Sequence, residues 1–161
     1  MTNNSQQMTN NSQQNNALPR VWIFQANPSK YRILEALQER AEDYWNLNQH
    51  AKSVHIGDRV LIWVSGDDAG IYAVGTVITE PVVRSDAPEA TPYWRPPSSG
   101  NPPRPRVLVH FDHIFADAPL RKPFLMTDPV LQKLGVISCP RATNFAVTEE
   151  QWQTVQDWLP I

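Results

Sequence analysis

Cysteine is nearly absent from this chain: Cys139 stands alone, so no disulfide can close within it and no multi-cysteine zinc site can form. That usage fits a reducing compartment, and a cytoplasmic setting is the expectation. Long hydrophobic runs are missing too. The longest strongly apolar stretch, Val60 to Val64, falls far short of the roughly 20 residues a membrane span needs. No membrane partner is expected. There is no basic excess either, with 14 Lys and Arg against 16 Asp and Glu and a formal charge of -2. Sequence-blind polyanion binders usually carry such an excess, so any nucleic-acid contact here is expected to be local, a few cations around a pocket. The opening residues lack both the basic and the apolar segment of a secretory signal.

What is present begins with a repeat. Met1 to Gln7 recurs as Met8 to Gln14, an uncharged Asn/Gln/Ser tract too polar to bury surface, so residues 1–17 are expected to be a disordered tail. A duplicated start region, with Met8 as an alternative initiator, is the expected origin of the repeat, and a small functional tail is the other reading. The rest, 18–161, is long enough for one domain with its own core.

Val21 to Phe24 reads as a buried strand. Asn27-Pro28 then carries an N-cap followed by proline at the first helical position, predicting a helix through Ile33, Leu34, Leu37 and Ala41 that ends at Tyr44-Trp45. Arg59 to Val64 and Ile71 to Ile78 are β-branched and aromatic, and should pair as a hairpin across a Ser65-Gly66 turn. Gly75 inside the second strand predicts a bulge or a close backbone approach. Residues 81–105 form a long proline-rich loop whose aromatic cluster is Tyr93-Trp94-Arg95. Alternation from Arg106 to Phe115 predicts a third long strand. Asp128-Pro129 predicts a short helix stopped at Gly135, and Thr148-Glu149-Glu150-Gln151 is a capping box that opens the last one. The sum is an α+β domain, a partly open barrel with helices covering its ends.

Several of these pieces together resemble the EVE domain. They are Trp22-Ile-Phe-Gln-Ala-Asn27-Pro28, Trp45, Gly57-Asp58-Arg59-Val60 leading into Ile62-Trp63, Ser65-Gly66 through Gly70-Ile71-Tyr72-Ala73, and Asn144-Phe145 before the last helix. The resemblance covers roughly residues 20 to 160. It implies a PUA-like curved fold, similar to YTH domains, which hold a modified RNA base in an aromatic cage. It also implies a non-catalytic reader of methylated or hydroxymethylated cytosine or adenine in DNA or RNA. That activity needs no cofactor, and a monomer is expected.

By the same resemblance, Asn27 matches the position that reads the ring edge of the base, Trp45 the cage tryptophan after the first helix, and Ser65 and Gly66 the shared turn. The second cage aromatic has no clear match here; Trp94 beside Tyr93, or Trp22 and Trp63 within the EVE pattern, are the candidates. For Trp22 and Trp63, core packing and ligand stacking both stay open. Trp45, placed at a helix exit beside polar residues, is expected to be removable without loss of fold. Lys30, Arg32, Lys52 and Arg59, with His50 and His55, are the candidate phosphate contacts. His110, Asp112 and His113 do not share a strand face, so no metal site is expected.

Two rival functions differ in class. Some PUA-like relatives, the ASCH domains, include small amidohydrolases, which would need a lysine, a carboxylate and a hydroxyl in one pocket. A tryptophan-lined pocket also suits a small planar molecule, and the proline-rich loop a protein partner.

Overall fold

The computed structural model describes residues 18–96 and 102–160, so the expectation for the tail 1–17 lies outside the described residues. One mixed sheet organises the chain. Its strands are β1 (Val21–Ala26), β2 (Glu42–Asn46), β3 (Arg59–Val64), β4 (Gly70–Val77), β5 (Val82–Arg84), β6 (Arg104–Ile114), β7 (Leu120–Arg121) and β8 (Asn144–Val147). The main path runs β2-β6-β4-β3-β1-β8, with β5 on β6 and β7 on β4. β1 runs parallel to β3 and antiparallel to β8; the β3–β4 hairpin is antiparallel, as its turn chemistry predicts.

β1 and β3 read as continuous apolar runs because both their faces are covered. Trp22, Phe24, Val60 and Ile62 point into one core cluster, which α1 (Ile33–Glu39) closes with Ile33, Ala36 and Leu37. Ile23, Leu61 and Trp63 alternate into a second cluster, covered by Leu125 of α2 (Lys122–Leu125), Val136 of α3 (Gly135–Ser138) and Trp152 and Val155 of α4 (Glu149–Gln156). The capping box is formed: Thr148 Oγ1 accepts from the Gln151 amide and Gln151 Oε1 from the Thr148 amide.

The sheet curls into a half-barrel, and two features bend it. At Gly75 the β4–β6 register shifts, and a Cβ built there would sit 2.6 Å from the His110 carbonyl oxygen, so only glycine lets β6 come this close. At the open seam, side chains span what backbone pairing leaves unjoined. Asn144 at the start of β8 accepts from the Asn48 amide at 2.9 Å and donates to the Asn46 carbonyl at 3.0 Å, while Gln49 Oε1 receives the amides of Thr143 and Asn144. Asn144 is 1% exposed, so these bonds form out of water, where a missing partner costs about 1–3 kcal/mol.

Three local expectations are corrected. The first helix does not start at Pro28: Asn27 to Lys30 form a turn, and α1 begins at Ile33 with no side-chain cap. It ends by Arg40, whose backbone is extended, and Tyr44-Trp45 lies in strand β2, paired with Leu108 and Val107 of β6. Partner strand β6 overrides the helical look of Glu42-Asp43. Finally, Gly135 opens α3 instead of ending the helix before it; Asp128-Pro129 leads only into a 3-10 turn at Leu131–Lys133.

Candidate functional site

Where the seam meets the first turn, the half-barrel opens into a cavity of about 590 Å³. Its lining comes from segments far apart in sequence: the end of β1 and the following turn, β2, the β3–β4 turn, the loop before β6, and residues 140–143. Sheet order explains the convergence, since β2 and β8 are the two ends of the curled path. Gln25 holds the 140–143 wall in place, its side-chain amide donating to the carbonyls of Pro140 and Ala142 at 2.9 and 2.7 Å.

Of the sequence candidates, Asn27, Lys30, Trp45, Ser65 and Trp94 line this cavity together. Trp45 forms one wall. It is 7% exposed, packs against Phe24 with ring centroids 6.2 Å apart, and donates its indole N–H to the Gln25 carbonyl at 3.2 Å. Trp94 forms another wall from a 3-10 turn, Pro88–Tyr93, that caps the loop. Its indole N–H donates to Asp86 at 2.9 Å, and its ring meets Tyr31 at 4.6 Å. Backbone bonds clamp it on both sides, Arg32 N to Tyr93 O at 2.7 Å and Arg95 N to Lys30 O at 2.8 Å. Asn27 Oδ1 accepts from the Ser29 amide and hydroxyl, which leaves the amide NH₂ as the group it can offer a ligand.

The other candidates sit elsewhere. Trp22 is 2% exposed, its N–H spent on buried Asp58 at 2.9 Å and its ring set against His50. Trp63, also 2% exposed, faces the second core cluster across the sheet, because strand alternation sends Ile62 one way and Trp63 the other. Neither tryptophan lines the cavity. Gly66 adopts φ +105° in the turn beside Ser65 and serves backbone geometry there. Arg59 covers the Trp152 ring at 5.7 Å, at the far end of β3 from Ser65, about 20 Å along an extended strand. Arg32 and Lys52 are exposed and do not line the cavity. Among the described residues, no group of three or more His, Cys, Asp or Glu is placed to hold a metal ion.

The cavity also contains residues that sequence reasoning missed. Tyr31 donates its phenol to Asp43 Oδ2 at 2.5 Å, and Arg40 pairs with Asp43 Oδ1 at 2.6 Å. Asp43 is 2% exposed; burial pushes its carboxyl up from 3.8 to about 6, against the opposing pull of Tyr31 and Arg40. Burial also pushes the Tyr31 phenol up, so it stays a proton donor to Asp43. Asp86 accepts from the Ala87 amide as well as from Trp94. Arg104 and Arg141 join Lys30 as exposed cations on the lining. Asp43 had a sequence signal: Asp-Tyr-Trp puts it two residues before Trp45, on the same face once the segment is a strand.

A curled, PUA-like half-barrel with a tryptophan-walled cavity at its seam is the class this fold and site define. The chain belongs to the EVE domain family, whose model matches residues 20–158. Among curated proteins, none matches the chain. Solved structures with the same fold include a hypothetical protein from Leishmania major (19% identical, TM-score 0.64, covering 87% of this chain and 94% of that one). A protein from Pseudomonas syringae is 19% identical at TM-score 0.62, covering 86% and 98%. Human THYN1, in complex with DNA containing 5-methylcytosine, is 15% identical at TM-score 0.62, covering 86% and 96%. At these identities the likeness shows the fold alone.

Proposed function

We propose that this protein is a non-catalytic reader of a modified base in nucleic acid, holding one flipped or unpaired base between Trp45 and Trp94. The observation that carries the reading is that two tryptophans from distant segments wall one cavity with Asn27 and Ser65 on its lining. Its volume falls within the ~300–1,000 Å³ of small-molecule sites. The human THYN1 complex with 5-methylcytosine-containing DNA supports the same use of the fold.

Extruding a base costs a few kcal/mol, and aromatic stacking returns about 1–3 kcal/mol per base, so stacking alone breaks even. Hydrogen bonds and phosphates supply the remainder. Lys30, Arg104 and Arg141 replace the wider sequence list as phosphate contacts, since they border the cavity itself. Three such contacts on a single strand give a log K against log salt slope of about -2. The test is a titration of single-stranded DNA and RNA oligonucleotides, each with one defined modification. At least one modified base should bind severalfold tighter than its unmodified parent, and Trp94→Ala should remove the difference. A panel in which no modification improves binding would sink the reading.

A second reading keeps one specific support: Lys30, the Asp43 and Asp86 carboxylates and the Ser65 hydroxyl lie on the same cavity, the group types an amidohydrolase needs. Incubation with acylated nucleosides decides between them. A reader releases no acid, and Lys30→Ala costs it one phosphate contact.

A further inference from the structure

We propose that Arg84 and Arg104 form a phosphodiester seat at the rim of the cavity, which takes the strand on one side of the bound base and so gives the nucleic acid a fixed polarity in the site. This deepens the reader assignment and rests on it. The inference starts from like charges that the fold brings together. The β5–β6 register sets Arg84 directly opposite Arg104, and Val82 opposite Arg106. Like charges placed directly opposite destabilise a sheet. Beside them, Arg106 is 1% exposed and donates to the carbonyls of Arg84 and Pro102. Burial lowers its guanidinium below the ordinary value; Asp86 opposes this, and the charges of Arg104 and Arg84 lower it further. Among the described residues no ion pair involves any of the three arginines, and residues 1–17, 97–101 and 161 contain no Asp or Glu to supply one. Asp86, the acid whose charge Arg106 feels, already accepts from the Trp94 indole and the Ala87 amide.

Arg84 is also held in one pose. Its Nε donates to the Ser85 carbonyl at 2.9 Å and its Nη1 to the Tyr44 hydroxyl at 2.8 Å, while the guanidinium carbon lies 4.1 Å from the centre of the Tyr44 ring. Tyr44 and Arg104 both line the cavity, so this corner of β5 and β6 continues its wall. A planar guanidinium fixed in place still has N–H groups to offer, and it bonds a phosphate through two oxygens. An anion seated between Arg84 and Arg104 removes their repulsion. Lys30 and Arg141 reach the cavity from other segments, the turn after β1 and residues 140–143. A strand has a direction, so a seat at one corner meets either the 5′ or the 3′ neighbour of the base. Because Arg84 shares the phosphate of Arg104, the count of three phosphate contacts stands.

The test places the modified base that binds best in the middle of a single-stranded oligonucleotide, with an abasic strand as baseline. Each of the two linkages on either side of the base is replaced, one at a time, by a neutral methylphosphonate. With the unaltered full chain, neutralising one linkage on one side should weaken binding about fivefold. In Arg84→Ala that same replacement should cost less than about twofold, while the penalties at the other linkages stay as they were, since a residue and the phosphate it holds are not additive. Arg104→Ala should pick out the same linkage, and serves if Arg84→Ala does not fold. With both replaced, the log K against log salt slope should become shallower by about 0.7. If Arg84→Ala weakens binding but leaves every linkage penalty unchanged, Arg84 acts by supporting Tyr44, and the seat is overturned while the reader assignment stands. Coupling spread equally over 5′ and 3′ linkages overturns the fixed polarity. If the modified base binds no better than the abasic strand, the reader assignment falls and the seat with it.

Discussion

The two tryptophan walls of the cavity are built in opposite ways. Trp45 belongs to β2 at one end of the curled sheet, yet it is nearly sealed from water and bonded by its indole to β1. Trp94 is half-buried on a loop, packed on the outside of the core against Tyr31 and fastened by hydrogen bonds: its own to Asp86, and the backbone pairs that tie its neighbours to Lys30 and Arg32. One wall is inseparable from the fold and the other is an attachment to it. Changes to Trp45 should therefore be read in stability, and changes to Trp94 in binding.

The largest effect expected is on the first wall. Trp45→Ala removes a core aromatic and leaves its space empty, a change that costs about 3–5 kcal/mol. This reverses the expectation from sequence that Trp45 could be removed with the fold intact, and it makes Trp45→Ala a poor binding probe. Chemical denaturation checks it, and a loss under about 1 kcal/mol would show that the wall is not part of the core.

Next in size is the titration of Asp43, two residues along β2. Its folded value of about 6 lies above the ordinary 3.8, because burial, with help from the charge of Asp86, outweighs Tyr31 and Arg40. A raised carboxyl stabilises the fold at low pH; the contribution is full below about 3.8 and is lost as pH rises through about 6. The shift converts to at most about 3 kcal/mol. Asp43→Asn has no such step, so the stability of the native chain should decline relative to the variant between pH 4 and 6.5. A difference that stays level across that window would mean Asp43 is not buried as a charge.

How much of this contrast can be read from sequence depends on whether local pattern or pairing decides it. The β3–β4 hairpin, the bulge at Gly75 and the capping box of α4 are all local signals, and each is present. The cavity is not local. Asn27, Trp45 and Ser65 were accessible through a resemblance that carries long-range order with it, whereas Trp94 was one of several candidates for a second wall that the resemblance did not match. Tyr31, Asp43, Arg104 and Arg141 were not accessible, because their adjacency follows from β2 and β8 meeting at the seam. Trp22 and Trp63 show the reverse failure. Tryptophan draws attention as a ligand wall, yet in strands buried on both faces its bulk is core, whichever way it points.

Trp94→Ala should be the mirror image of Trp45→Ala. Losing one stacking surface costs about 1–3 kcal/mol of base affinity, roughly five- to 150-fold. Stability should change by less than about 1 kcal/mol, since the ring is half-exposed and the clamping bonds are backbone ones. A melting temperature that collapses with this variant would erase the distinction between the walls.

The smallest expected effect tests what holds the loop wall upright. Asp86 accepts the Trp94 indole N–H and also lines the cavity, so it can act through the tryptophan, on the base directly, or both. Asp86→Ala should weaken binding by two- to tenfold, less than Trp94→Ala. A double-mutant cycle separates the routes, because residues that act through one another are not additive. If Asp86 only positions Trp94, the double variant binds no worse than Trp94→Ala alone. A further loss in the double variant would instead place Asp86 itself against the base. The loop would then supply hydrogen-bond recognition as well as a stacking surface.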